Sequence, residues 1–197
     1  MGQPEKYYDK RQEFFHDFFE KGLPFSEYLA TGDAGQQARW KAYALPLSLS
    51  EEQRSRLEAF KRQMNVIVLS GIWCGDCSRQ GPMLRLIEEA APVIRLRFVE
   101  SRPNPELQDE LRILGAARVP VVVALSEDFF EVSRFGDRTL HSYRIKASTE
   151  FGPACDAGLG NPSSEELRDE LSEWISHFER LQLMLRLAPA LRGRYKD

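Results

Sequence analysis

Cys74 and Cys77 stand two residues apart in the run Trp73-Cys74-Gly75-Asp76-Cys77, and two thiols at that spacing can close a small reversible disulfide. The chemistry this points to is electron exchange. A thiol attacks a disulfide only as the thiolate, so one of the pair needs its pKa lowered from about 8.5. The flanking sequence supplies the means: Val66-Ile67-Val68-Leu69 reads as a buried strand and Ser78 to Ala91 as a helix. The pair therefore sits at a strand-to-helix corner, with Cys74 ahead of the first turn. Unpaired N–H groups and the positive end of the helix dipole favour an anion there. Cys74 is expected to be the exposed nucleophile and Cys77, further into the helix, the buried resolving thiol. The Asp76 carboxylate opposes the thiolate, which biases the pair toward a reductant.

Two plainer roles compete. Free cysteines also pack as small hydrophobes, and a closed zinc site wants about four Cys or His ligands. Only Cys155 with His16, His141 or His177 can complete such a set, none at finger-like spacing, so no metal is expected. Cys155 lies in the Gly- and Pro-containing stretch 151–158. It is a candidate third redox thiol or substrate contact, against the plainer reading of a partly buried loop cysteine.

The elements that position the pair follow from periodicity. Residues 4–22 carry Tyr7, Tyr8, Phe14, Phe15, Phe18 and Phe19 at helical spacing, predicting a helix whose aromatic face covers a sheet face or edge. Short helical patterns broken by Gly32, Gly35 and Pro46 fill 25–49. Ser50 and Gln53 form a capping box opening the next helix. Strands are expected at 65–70, 93–100, 119–125 and 130–135, with a helix at 104–114. Alternation of strands with helices implies parallel pairing, and the last two strands should be antiparallel. Residues 137–162 read as irregular, and a long amphipathic helix starts at Ser163 and stops at Pro189. The fold class is α/β.

At 197 residues, 42% apolar and 29% charged, the chain has the composition of an ordinary folded domain. A formal charge of −3 offers no basic field for nucleic acid. Residues 1–10 show no secretory pattern, and no stretch approaches the roughly 20 apolar residues of a membrane span. A cytoplasmic protein is expected, without nucleic-acid or membrane partners.

The motif resembles that of the thioredoxin family, and other residues agree. Trp73 precedes the first cysteine, Pro82 falls where thioredoxins kink the helix, Val119-Pro120 matches the family's cis-proline, and Gly136 matches the glycine flanking the same groove. The resemblance implies a thioredoxin-like mixed sheet flanked by helices in the strand order 93–100, 65–70, 119–125, 130–135. It covers 50–136 and the final helix. The implied division is a helical N-terminal extension at 1–49 and a thioredoxin-like domain at 50–197 carrying a loop insertion at 137–162. It also implies protein-disulfide oxidoreductase activity needing no cofactor beyond the Cys74/Cys77 pair. Protein disulfides would be the substrates, a reductase such as thioredoxin reductase the donor, and Trp73, Gly75, Asp76, Val119, Pro120 and Gly136 the supporting residues. A partner-binding module or a thiol peroxidase using the same groove is the alternative. In this sequence Gly75-Asp76 replaces the family's Gly-Pro, and Val68 stands where the family buries a carboxylate. The proton of Cys77 is left to Asp76 or Glu100.

Overall fold

The computed structural model describes residues 7–151 and 163–196. Strand β1, Met64–Ser70, is buried at every position, as a strand covered on both faces must be. It pairs in parallel with β2, Ile94–Glu100, in a register running from Met64 opposite Ile94 to Ser70 opposite Glu100. On its other side lies β3, Val121–Leu125, and beyond that β4, Glu131–Gly136, which is antiparallel to β3. The order β2-β1-β3-β4 is the expected one.

The direction of β3 is a correction, because it runs antiparallel to β1 rather than parallel. The connection from β2 carries a short helix, α6 (Pro105–Glu110). The chain re-enters the sheet at the end where it left, so Val121 pairs with Leu69 near the end of β1 that lies beside Glu100 of β2.

Helix α1, Gln12–Lys21, lays Phe15, Phe18 and Phe19 against Ile67, Leu69, Val99, Val121 and Val123, with Leu107 and Leu111 beside them. The stripe is shorter than the sequence suggests. Asp9 accepts from the Arg11 N–H and its carbonyl from the Gln12 N–H, ending the helix at residue 12 and leaving Tyr7 and Tyr8 exposed. Residues 1–6 lie outside the described residues.

The opposite sheet face, Val66, Val68, Leu96, Phe98, Val122 and Ala124, carries the larger core. It is covered by residues of α2 (Phe25–Ala30), α3 (Ala34–Ala44), α4 (Glu51–Glu58), the cysteine helix α5 (Gly75–Ala90) and the long α8 (Ser164–Leu187). The Ser50/Gln53 capping box forms as expected, and Asp33/Gln36 and Ser163/Glu166 form two more. α8 ends at Leu187, and the chain restarts a short α9, Pro189–Tyr195, with Pro189 at its first position, where a missing N–H costs nothing.

The segment 137–162 is not a loop throughout. Leu140–Phe151 form helix α7, which packs beside α8. Its start is held by Thr139, whose hydroxyl accepts from the Ser142 N–H, and by Glu173 of α8, which accepts from the Leu140 and His141 N–H groups at 2.6 and 3.2 Å. Leu140 and Tyr143 are exposed, so the sequence carries no apolar stripe to announce the helix. Residues 152–162, including Cys155, lie outside the described residues.

α3 and α5 meet where Trp40 lies against Gly81, and a Cβ at 81 would fall 2.1 Å from the Trp40 ring. Gly81→Ala should therefore destabilise the protein by about 1–3 kcal/mol, seen as a lower urea midpoint at unchanged slope. An unchanged midpoint would mean that the α3–α5 contact yields freely.

Candidate active site

The site is built on the four-residue turn between β1 and α5. Gly71 has no side chain because the Trp73 ring folds back over it, 2.7 Å from where a Cβ would stand. The Cys74 N–H donates to the Gly71 carbonyl at 2.9 Å, closing the turn. Cys74 then takes the N-cap of α5 in an extended conformation, its sulfur accepting from the Cys77 N–H at 3.4 Å. A sulfur thus fills the place that a Ser or Asp oxygen fills in an ordinary cap.

The two cysteines have different surroundings. Cys74 is half-buried, and its thiol points at the Val119 carbonyl, 3.7 Å away. Cys77 is buried, and its sulfur accepts from the Gly71 N–H at 3.4 Å. The Cys77 thiol and backbone N–H, with the Asp76 N–H, hold Cys74 down to about 7 against burial and the Asp76 charge. Burial first, and then the neighbouring Cys74, push the Cys77 thiol well up. Such a pair offers one reactive thiolate at neutral pH and one protonated reserve behind it.

On one side the turn is fastened by the N-terminal helices. The Trp40 indole donates to the Ile72 carbonyl at 3.0 Å, and Arg39 reaches the Trp73 carbonyl at 3.5 Å. Glu100, at the end of β2, accepts from the Tyr28 hydroxyl at 2.8 Å, the Ile72 N–H at 2.9 Å and the Trp73 indole at 3.1 Å. Trp73 is 39% exposed beneath the Arg102 guanidinium, 4.6 Å from its ring centre.

On the other side stands a charged network. Asp76 accepts from Arg138 at 2.6 Å, and Arg138 also meets Asp137 at 3.2 Å. Asp137 is buried, taking Arg118 at 3.0 Å and the Tyr143 hydroxyl, while its carbonyl accepts from Gln80 of α5 at 3.0 Å. Burial would raise the Asp137 carboxyl, but Tyr143, its own backbone N–H, Arg118 and Arg138 together hold it below the ordinary carboxylate range. The Val119–Pro120 peptide is cis, and Gly136 crosses Pro120 so closely that a Cβ would sit 2.7 Å from the Pro120 carbonyl oxygen.

A family model described as thioredoxin matches residues 22–148. The chain belongs to the thioredoxin family. The match begins at 22 and ends at 148, so it takes in α2, α3 and most of α7, beyond the 50–136 assigned from the motifs. Among solved structures, a protein of unknown function from Pseudomonas aeruginosa is similar over 82% of this chain and 97% of its own, at 22% identity and a TM-score of 0.60. An HIV epitope-scaffold is similar over the same shares at 22% identity and a TM-score of 0.57. Both likenesses are of fold. No curated protein matches the chain.

The thioredoxin motif residues converge: Trp73, Gly75, Asp76, Val119, Pro120 and Gly136 all lie around Cys74 and Cys77. Among the described residues no group of three or more His, Cys, Asp or Glu side chains is placed to hold a metal ion, and no helix is long and apolar enough to cross a membrane. Tyr28, Arg118, Asp137, Arg138 and Tyr143 went unnoticed in the sequence. For Asp137 and Arg138 a signal existed, since they directly follow Gly136, which the motif had already placed beside the groove.

Thiolate grows as pH rises, so iodoacetamide should label Cys74 at a rate that climbs with pH to a plateau, with a midpoint of about 7. Cys77 should stay unlabelled until strongly alkaline pH. One shared midpoint near about 8.5 would mean that the helix end does not act on Cys74.

Proposed function

We propose that the chain is a thiol–disulfide oxidoreductase that reduces protein disulfides. The observation carrying this reading is the split between the two thiols: an accessible one held down at a helix N-terminus and a buried one pushed up behind it, in hydrogen-bond reach of each other. Membership of the thioredoxin family supports it.

The Cys74 thiolate attacks one sulfur of the substrate disulfide. A Cys74–substrate disulfide forms, the substrate S–S bond breaks, and the departing thiolate takes a proton from solvent. Cys77 loses its proton and attacks the Cys74 sulfur, closing the Cys74–Cys77 disulfide and releasing the second substrate thiolate, which is protonated in turn. Two electrons pass to the substrate. A dithiol or flavoprotein reductase of the thioredoxin reductase class then reopens the pair. The half-exposed Trp73 and the Val119 backbone, whose carbonyl faces the Cys74 sulfur, provide an edge on which an extended substrate segment docks.

Insulin-disulfide reduction with dithiothreitol as donor tests this, beside equilibration of the pair against glutathione and dithiothreitol couples. The wild type should turn over, with a potential nearer about −270 mV than about −120 mV. Cys74→Ser should abolish turnover, and Cys77→Ser should accumulate the mixed disulfide. A pair that does not cycle, with partner binding intact after both serine exchanges, would make the protein a binding module instead.

A further inference from the structure

The Asp76 carboxylate stands between two cysteines whose reactivity depends on a local positive field, and it is not left free. Arg138 Nη2 lies 2.6 Å from Asp76 Oδ2, and Arg138 Nη1 lies 3.2 Å from Asp137 Oδ2. Asp137 is fixed from two further directions, by Arg118 ahead of the cis proline and by Tyr143 on α7. α7 in turn is capped by Glu173 of α8. A half-buried guanidinium anchored this way has little freedom to leave the carboxylate.

We propose that Arg138 is a positioning residue for Asp76: by pairing with that carboxylate while Asp137 holds it in place, it limits how far the negative charge acts on the Cys74 sulfur, and so makes the segment leading into α7 part of what sets the reactivity of the thiol pair. The role matters to function through the disulfide-exchange reading of the pair, but the pairing itself does not depend on it. Other charged and titratable groups around this corner are already committed. Arg118 serves Asp137, Tyr143 donates to Asp137, and Arg79, one turn along α5, is paired with Glu170 of α8. Arg39 approaches the Trp73 carbonyl from α3. Cys77 is the remaining titratable neighbour on α5, and it stays protonated where Cys74 titrates. Arg138 is thus the cation on Asp76.

The test is a double-mutant cycle read by the pH profile of Cys74 alkylation, a quantity that a merely structural role would not move in a charge-specific way. Arg138→Gln should raise the midpoint by about half a pH unit or more, and Asp76→Asn should lower it. The Asp76→Asn/Arg138→Gln double variant should keep the midpoint of Asp76→Asn to within about 0.3 unit, because without the carboxylate the arginine has nothing to restrain, and this non-additivity is the signature of two coupled groups. Arg138→Lys, which keeps a cation beside Asp76 should the glutamine variant fail to fold, should shift the midpoint less than the glutamine exchange. The proposal is overturned if Arg138→Gln leaves the midpoint unchanged, if it raises it equally with and without Asp76, or if Arg138→Lys raises it by half a unit or more. Insulin reduction by the wild type separates the two readings. A shifted midpoint without wild-type turnover keeps this role and removes the oxidoreductase, and turnover with an unmoved midpoint does the reverse.

Discussion

A sulfur atom can serve as the N-cap of a helix only if the chain before it is held to within a few tenths of an ångström, because the Cys77 N–H that reaches the Cys74 sulfur does so at 3.4 Å. Slack in residues 71–74 would hand that N–H to water and remove one of the groups that, after the Cys77 thiol, hold the Cys74 pKa down. Most features of the site can be traced to this constraint. Gly71 admits the Trp73 ring, the Gly71 carbonyl closes the turn, and the Gly71 N–H is spent on the Cys77 sulfur. One glycine therefore takes part in positioning both sulfurs. Small scaffolds hold a reactive group by fastening its support, since strands and helices are stiffer than the loop itself.

The N-terminal helices do that fastening, which gives them a part in the site as well as in the core. Trp40 is almost completely buried, touches Gly81 in the middle of α5, and still spends its indole N–H on the Ile72 carbonyl. Tyr28 stacks on Phe98 of β2 and gives its hydroxyl to Glu100. Burial first, and then the Glu100 charge and hydrogen bond, keep that phenol protonated against the opposing Ser70 hydroxyl. Aromatic side chains suit such duty, combining a large buried body with one directed polar atom. Removing 22–49 would thus loosen the turn ahead of Cys74, and this is a physical reason for the family match to begin where α2 and α3 do.

What the sequence could reveal follows the same division. The strand-to-helix corner, the capping box at Ser50, the helix start at Ser163, the strand order and the residues gathered around Cys74 were legible because each rests on local periodicity or on a motif of fixed spacing. The antiparallel β3 was not, because direction is set by the end at which a connection re-enters the sheet. Helix α7 was not, because it is held by a carboxylate thirty-odd residues away and exposes much of its surface. The Asp76–Arg138 pair was invisible for the same reason: two residues 62 apart meet only through tertiary structure. Sequence reading assigned Asp76 a free charge, and the structure gives that charge a partner.

Val68 lies buried in β1 at the position where thioredoxins bury a carboxylate, so this position supplies no acid to the pair. Of the two carboxylates suggested for the Cys77 proton, Glu100 has both oxygens engaged and Asp76 has its Oδ2 engaged. Glu100 serves Tyr28, Ile72 and Trp73, and Asp76 serves Arg138. What bears directly on the Cys74 sulfur is first the protonated Cys77 thiol and then the Cys77 and Asp76 N–H groups, with the Val119 carbonyl facing it, while the Gly71 N–H and the buried Ser70 hydroxyl ease Cys77 downward. The backbone dipoles among these do not titrate, whereas a buried acid would add its own pKa to that of the thiols. The difference between the two cysteines is therefore held by geometry, by burial on one sulfur and a helix end on the other, and it persists across the range in which Cys74 alone changes charge. Charge enters only from the side, through a carboxylate whose influence is limited by the arginine that holds it.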